Sequence, residues 1–284
     1  MLSPHKKDMP VSINTPQRLV ILAVAACWLP LSAAAATVAA QAGVFTVTCP
    51  TLCGGPGSIA SFDGDGGEGF TSAFAALSGG PAGNGRSRAQ ITGTGLVLPE
   101  LGAEAYPTID GQVVADAGAM QKYVYNGPDN SQFVLQLAID GSVNAAQADT
   151  ALLAGNAAVV LAPAVDFSVD PGTFIFENVA LDPNASLLVE GGIDFAARGL
   201  FNLGLQNATE ALAFTLNDGD EVLIWASLRV RGTRGSNADA YTSLALTFTS
   251  GNVAGLTPVP IAPPLVLMPA ALGLLAAWRR RSPG

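Results

Sequence analysis

The sequence predicts an all-β protein, an antiparallel β-sandwich of jelly-roll-like form, with a processing segment at each end. Three observations carry this. Apolar and polar residues alternate at period two in several segments, which lays one face of an extended strand against a core. These segments are short and separated by Gly, Asn, Asp and Pro clusters that turn the chain. The 3.6-residue period of a long amphipathic helix is not sustained anywhere in the middle of the chain.

At the N-terminus, Lys6, Lys7 and Arg18 precede an apolar run over residues 19–31, and small residues follow over 32–42. The order positive, apolar, small is that of a secretory signal peptide, expected over residues 1–42. A-x-A cleavage motifs end at Ala36 and at Ala42. Pro30 and the shortness of the run argue against a retained membrane helix. Val24-Ala25-Ala26-Cys27 loosely fits a lipobox, but apolar sequence continues past it.

The secreted domain is expected over residues 43–257. Cys49 and Cys53 are its two cysteines. In an oxidising compartment two nearby thiols pair, so a disulfide is expected between them. Residues 62–85 are rich in Gly, Ala and Ser and read as loop or weak strand. Within them Asp63, Asp65 and Glu68 cluster three carboxylates, hard oxygen ligands of the kind that holds calcium. A solvated Gly-rich turn is the competing reading, and no other cofactor is expected.

Beyond this the alternation is clear. Residues 132–140 put Phe133, Leu135, Leu137 and Ile139 on one face. Residues 144–153 read as a short helix. Residues 173–177 and 186–190 read as short strands. Residues 210–216 put Leu212, Phe214 and Leu216 together, and residues 221–231 do the same for Val222, Ile224, Ala226, Leu228 and Val230. Asn217-Asp218-Gly219-Asp220 between them reads as a hairpin loop. Residues 241–249 alternate again, with Leu244, Leu246 and Phe248 inward. On residues 221–231, Trp225, Arg229 and Arg231 share the face opposite the apolar stripe. That face reads as cross-strand packing and ion pairing, or as a ligand patch for an anionic polysaccharide.

Composition limits the function. The middle of the chain holds seven basic and 21 acidic residues. Such a surface repels nucleic acid phosphates and anionic lipids. The single histidine is His5, so the middle has no imidazole for Ser-His-Asp or Cys-His catalysis, or for His-ligated metal. No motif fixes a pair of carboxylates for glycoside hydrolysis. An enzyme is not expected.

The C-terminus carries the most information. Pro258, Val259, Pro260 and Pro263 lie in a stiff, extended segment. An apolar run without charge follows over residues 265–278, then Arg279, Arg280 and Arg281. Residues 261–278 are expected to form a transmembrane helix, short but usable at about 27 Å with 1.5 Å per residue. The arginines halt translocation and stay cytoplasmic. The folded middle is then exported across the cytoplasmic membrane.

This three-part tail over residues 258–284 resembles the PEP-CTERM sorting signal in its VPLPA-like variety. Val259 stands where the commonest form has Glu. The resemblance implies recognition of the Pro258–Pro263 motif by an exosortase-type processing enzyme and cleavage near it. A transient single-pass inner-membrane anchor is implied, then release to the cell surface or extracellular matrix with a structural role. A carbohydrate-binding module or adhesin for exopolysaccharide is the second reading, and a secreted glycan hydrolase the third.

Overall fold

Alternation at this scale builds two antiparallel sheets. The computed structural model describes residues 38–48, 62–63, 66–68, 71–91, 96, 98–146, 149–161, 186–198 and 202–259. Among them run fourteen strands: β1 (Val38–Thr48), β2 (Phe62–Asp63), β3 (Gly66–Glu68), β4 (Ser72–Gly80), β5 (Gly83–Gln90), β6 (Glu100–Pro107), β7 (Gly111–Tyr125), β8 (Ser131–Asn144), β9 (Thr150–Leu161), β10 (Ser186–Arg198), β11 (Asn202–Leu216), β12 (Glu221–Thr233), β13 (Asn237–Ser250) and β14 (Leu256–Pro258). The one helical element among the described residues is a 3₁₀ turn, Val253–Gly255. None is long and apolar enough to cross a membrane. Residues 1–37 of the leader expected over 1–42, Cys49, Asp65, Cys53, the strand expected at 173–177, Pro260, Pro263, the apolar run and Arg279 to Arg281 all lie outside the described residues, and residues 38–42 open β1.

The first sheet has the order β10-β9-β12-β7-β1-β2, with β3 also on β1 and β14 also on β7. The second has the order β11-β8-β13-β6-β5-β4. Every described pairing is antiparallel. The sheets face each other across one core, the arrangement of a sandwich.

The stripes read from the sequence form that core. Phe133, Leu135, Leu137 and Ile139 are buried, and so are Val222, Ile224, Ala226, Leu228 and Val230. Elsewhere the packing uses small residues. Ala40 and Ala42 of β1, Ala103 and Ala105 of β6, and Ala115 and Ala119 of β7 are all fully buried. Small side chains bring the sheets close, and glycine completes the fit. A Cβ at Gly155 would come within 2.4 Å of Ile139 Cδ1. The centre of the first sheet is apolar on its outer side too: Met120, Ala158, Val160 and Leu223 point away from the second sheet and are also buried. That is why β12 opens on the unbroken run Val222-Leu223-Ile224.

Two expectations are corrected. The described residues of 144–153 hold no helix: β8 ends at Asn144 and β9 starts at Thr150. Their alanines are good helix formers, but Ala151, Leu153 and Ala157 bury on one face of β9, and sheet pairing overrides the propensity. Residues 217–220 do turn the chain, yet they close no hairpin. β11 belongs to the second sheet and β12 to the first. Residues 62–85, read as loop or weak strand, supply β2, β3, β4 and the start of β5.

This sheet-to-sheet turn is laced to its neighbour between β7 and β8. The Gly127 N–H donates to Asp218 Oδ1 at 3.1 Å, and the Asp218 N–H donates to Asp129 Oδ1 at 3.0 Å. The Asn130 N–H donates to Asn217 Oδ1 at 3.1 Å. These carboxylates and amides satisfy backbone donors, the usual task of Asp and Asn in turns. Beneath them, Phe133 packs edge-on to Tyr125 at 5.3 Å and stacks on Phe214 at 5.5 Å. The Tyr125 hydroxyl donates to Ser131 Oγ at 2.6 Å. One end of the sandwich is thus closed by a polar seam over an aromatic plug.

The two ends of the described chain meet. Val38 pairs with Gln121 on β7. β14 runs along β7 from Tyr125 to Tyr123, and the Val259 N–H then donates to the Lys122 carbonyl at 3.0 Å. The arriving and departing strands therefore lie in line beside β7.

Candidate functional site

On the outer face of the second sheet, strand alternation brings charged and aromatic side chains from β5, β6 and β13 together. Arg86 and Arg88 flank buried Ser87; Glu104 and Tyr106 flank buried Ala105; Asp239 and Tyr241 flank buried Ala240. Register sets them side by side: Arg86 opposes Glu104, and Glu104 opposes Asp239.

The centre of this face is a bulge in β13. Ala240 pairs with Ala103, but the next partners are Leu244 and Leu101, so β13 carries two extra residues there. Bulges re-aim side chains and bend the strand that carries them. Here the Tyr241 carbonyl dips toward β6, where Gly102 leaves room. A Cβ at Gly102 would lie 1.8 Å from the Tyr241 oxygen.

The two arginines clamp this bulge. The Arg86 guanidinium sits over the Tyr241 ring, 3.8 Å from its centroid. It also bonds Glu104 twice, Nη2 to Oε2 at 3.0 Å and Nε to Oε1 at 2.5 Å. Arg88 Nε donates to the Tyr241 carbonyl at 3.1 Å, and its Nη2 donates to Glu100 Oε1 at 3.4 Å. The side-on ion pair and the cation–π contact reinforce each other by fixing one guanidinium plane. The hydrogen bond to Glu104 raises the Arg86 pKa above its ordinary value. The Tyr106 hydroxyl donates to Asp239 Oδ2 at 2.5 Å. Burial first, and that bond second, push the Tyr106 pKa up.

Beside the clamp the surface is aromatic. Tyr106 is 39% exposed, and Phe74 of β4, which opposes Arg88, is 52% exposed. Guanidinium N–H groups beside exposed rings suit a polyhydroxylated or anionic ligand, which takes hydrogen bonds at its edges and stacking on its faces. A separate cleft of about 410 Å³ is walled by Leu96, Leu98, Leu246, Phe248 and Val253, and among the described residues Glu100 is its one titratable lining residue.

The residues singled out from the sequence fall as follows. Trp225 is half-buried on the outer face of the first sheet, opposite Met120 and Ala158. Arg229 lies on the same face and donates from Nε to Asp116 Oδ1 at 2.9 Å. Arg231 is exposed beyond it. Asp63 and Glu68 are described in their backbone alone. Asp63 pairs with Val44 and Glu68 with Ala39, positions separated along β1 by about 17 Å at 3.3 Å per residue. Among the described residues no three His, Cys, Asp or Glu side chains gather as a metal ion requires. Pro258 ends β14, and Val259 follows it along β7.

The Arg86–Tyr241 face escaped the sequence reading. Its signal was present in three triplets, Arg86-Ser87-Arg88, Glu104-Ala105-Tyr106 and Asp239-Ala240-Tyr241. Each puts two functional groups on one strand face around a small buried residue. Nothing in the sequence says that the three strands are neighbours.

No protein-family model and no curated protein matches the sequence. Among solved structures, the chain is similar to the enzymatically active domain of tailspike protein 4 of bacteriophage CBA120. The identity is 9% and the TM-score 0.23, over 64% of this chain and 20% of that one. A structure of infectious bursal disease virus, Gx strain, is matched at 9% identity and a TM-score of 0.12, over 89% of this chain and 69% of that one. Scores this low carry no argument about this chain. What fold and surface define is the class: an antiparallel β-sandwich with an arginine–tyrosine face on its second sheet.

Proposed function

We propose that this is an exported surface or extracellular-matrix protein with a structural role. Its C-terminal segment holds it briefly in the inner membrane until an exosortase-type enzyme cuts near Pro258–Pro263. The reading rests on the leader and the three-part tail. The observation that supports it best is the meeting of Val38 and Val259 beside Lys122 and Gln121. A leader at one end and a sorting tail at the other then leave the sandwich from one point. Catalysis has no part in this reading, and a Cys49–Cys53 disulfide belongs to it, formed after export. Mass spectrometry of the extracellular protein should find Arg279, Arg280 and Arg281 gone. An intact C-terminus in that fraction would sink the processing step.

A second reading, a binding domain for the cell's own exopolysaccharide, is favoured by the Arg86–Tyr241 face with Phe74 beside it. Binding of the exported protein to that polysaccharide is measured for the parent, for Phe74→Ala and for Trp225→Ala. Loss with Phe74→Ala places the ligand on the second sheet. Loss with Trp225→Ala alone moves it to the first sheet, with Arg229 and Arg231. No binding by the parent discards this reading.

A further inference from the structure

We infer that strand β1 is retained whole in the mature protein, so that the leader is removed after Ala36 and not after Ala42. The inference rests on reading the first residues as an export signal, and it fixes which of two cleavage motifs is used.

Both motifs satisfy the small-residue rule, Ala34-Ala35-Ala36 and Ala40-Gln41-Ala42. The second lies inside β1. Residues 38 to 42 make five consecutive register pairs with β7, from Val38↔Gln121 to Ala42↔Ala117. On their other side, Ala39, Ala40 and Gln41 pair with Glu68, Gly67 and Gly66. Val38, Ala40 and Ala42 are 0% exposed and belong to the inter-sheet core.

A chain starting at Gly43 would lose all of this. β7 would present unpaired N–H and C=O groups along residues 117–121, an open edge of the kind that templates aggregation. β3 would lose the one strand it is described to pair with. The core would lose three side chains whose space nothing else in β1 can fill, because Val44 already occupies its own position in the core. A chain starting at Thr37 loses none of it. Leader removal acts on the unfolded chain during export, so folding does not shield the second motif. The mature chain nevertheless needs β1 whole in order to fold. Ala36 is also the nearer of the two motifs to the apolar run that ends at Leu31.

The test is N-terminal sequencing of the full-length protein after export. The expected start is Thr37-Val38-Ala39. A start at Gly43 overturns the inference and leaves the export reading standing. A protein that keeps Met1 in the exporting cell overturns both.

Discussion

The backbone N–H of Val259 donates to the carbonyl oxygen of Lys122, and the next residue of β7, Gln121, is the register partner of Val38. β14 and β1 therefore behave as one strand with a break between Val259 and Val38. The buried Gln121 side chain lies at the break and donates from Nε2 to the carbonyls of Lys122 and Val259, at 2.8 and 3.5 Å.

Joined ends should preserve the fold. A circular permutant that links Val259 to Val38 through one glycine, and opens between exposed Ile109 and Asp110, should unfold in a single transition. Its stability should lie within about 2 kcal/mol of the parent, as permutation at adjacent termini and an exposed tip allows. Urea unfolding followed by near-UV circular dichroism measures this. A broad, uncooperative transition would show that the two strands are not continuous.

Strands with bulky alternation were legible in the sequence. β8 and β12 announce their inward faces through Phe133 to Ile139 and Val222 to Val230, because large apolar side chains have one place to go. Two kinds of element were not. Strands built on alanine and glycine, such as β1, β5 and β9, carry little intrinsic β-preference and are held by pairing and close sheet contact. Turn composition at 217–220 shows that the chain reverses, but not which sheet the next strand joins. The Arg86–Tyr241 contact depends on that missing information, since it needs β5, β6 and β13 in order.

Gly102 should tolerate no side chain. Gly102→Ala sets a methyl group against the Tyr241 carbonyl, which is backbone and cannot rotate away, and against Arg88 Nε at 3.1 Å. Overpacking of this kind costs about 3 kcal/mol. The urea midpoint should fall accordingly. A change below about 0.5 kcal/mol would mean that the β13 bulge shifts freely.

The ion pair of Lys122 and Glu221 should respond unequally to loss of its two members. Lys122 Nζ lies 2.5 Å from Glu221 Oε2, with the lysine side chain 9% exposed and the glutamate 40% exposed. Glu221→Gln takes the carboxylate from a buried ammonium, whereas Lys122→Met leaves a carboxylate that water reaches. The first should cost about 1–2 kcal/mol and the second less than about 1 kcal/mol. Thermal unfolding of both variants at one pH decides it. An equal or reversed order would show that the pair is not desolvated as its burial implies.

Alkaline pH should weaken the fold through its tyrosines. Burial raises the pKa of Tyr123, which is fully buried in the core, and burial with the Asp239 hydrogen bond raises that of Tyr106. Above the unfolded value of 10.0 the unfolded chain releases these protons while the folded chain keeps them. The stabilisation of the protonated form is therefore complete below pH 10 and declines as pH climbs toward the raised folded values. Tyr123 alone adds a slope of up to about 1.4 kcal/mol per pH unit in that window. Urea unfolding from pH 8 to 11.5 should show a flat region and then a fall. Tyr123→Phe should flatten the fall more than Tyr106→Phe, because the ring at 106 already meets solvent. A profile that is level to pH 11.5 would overturn the prediction, and a fall unchanged by Tyr123→Phe would assign the alkaline response to other groups.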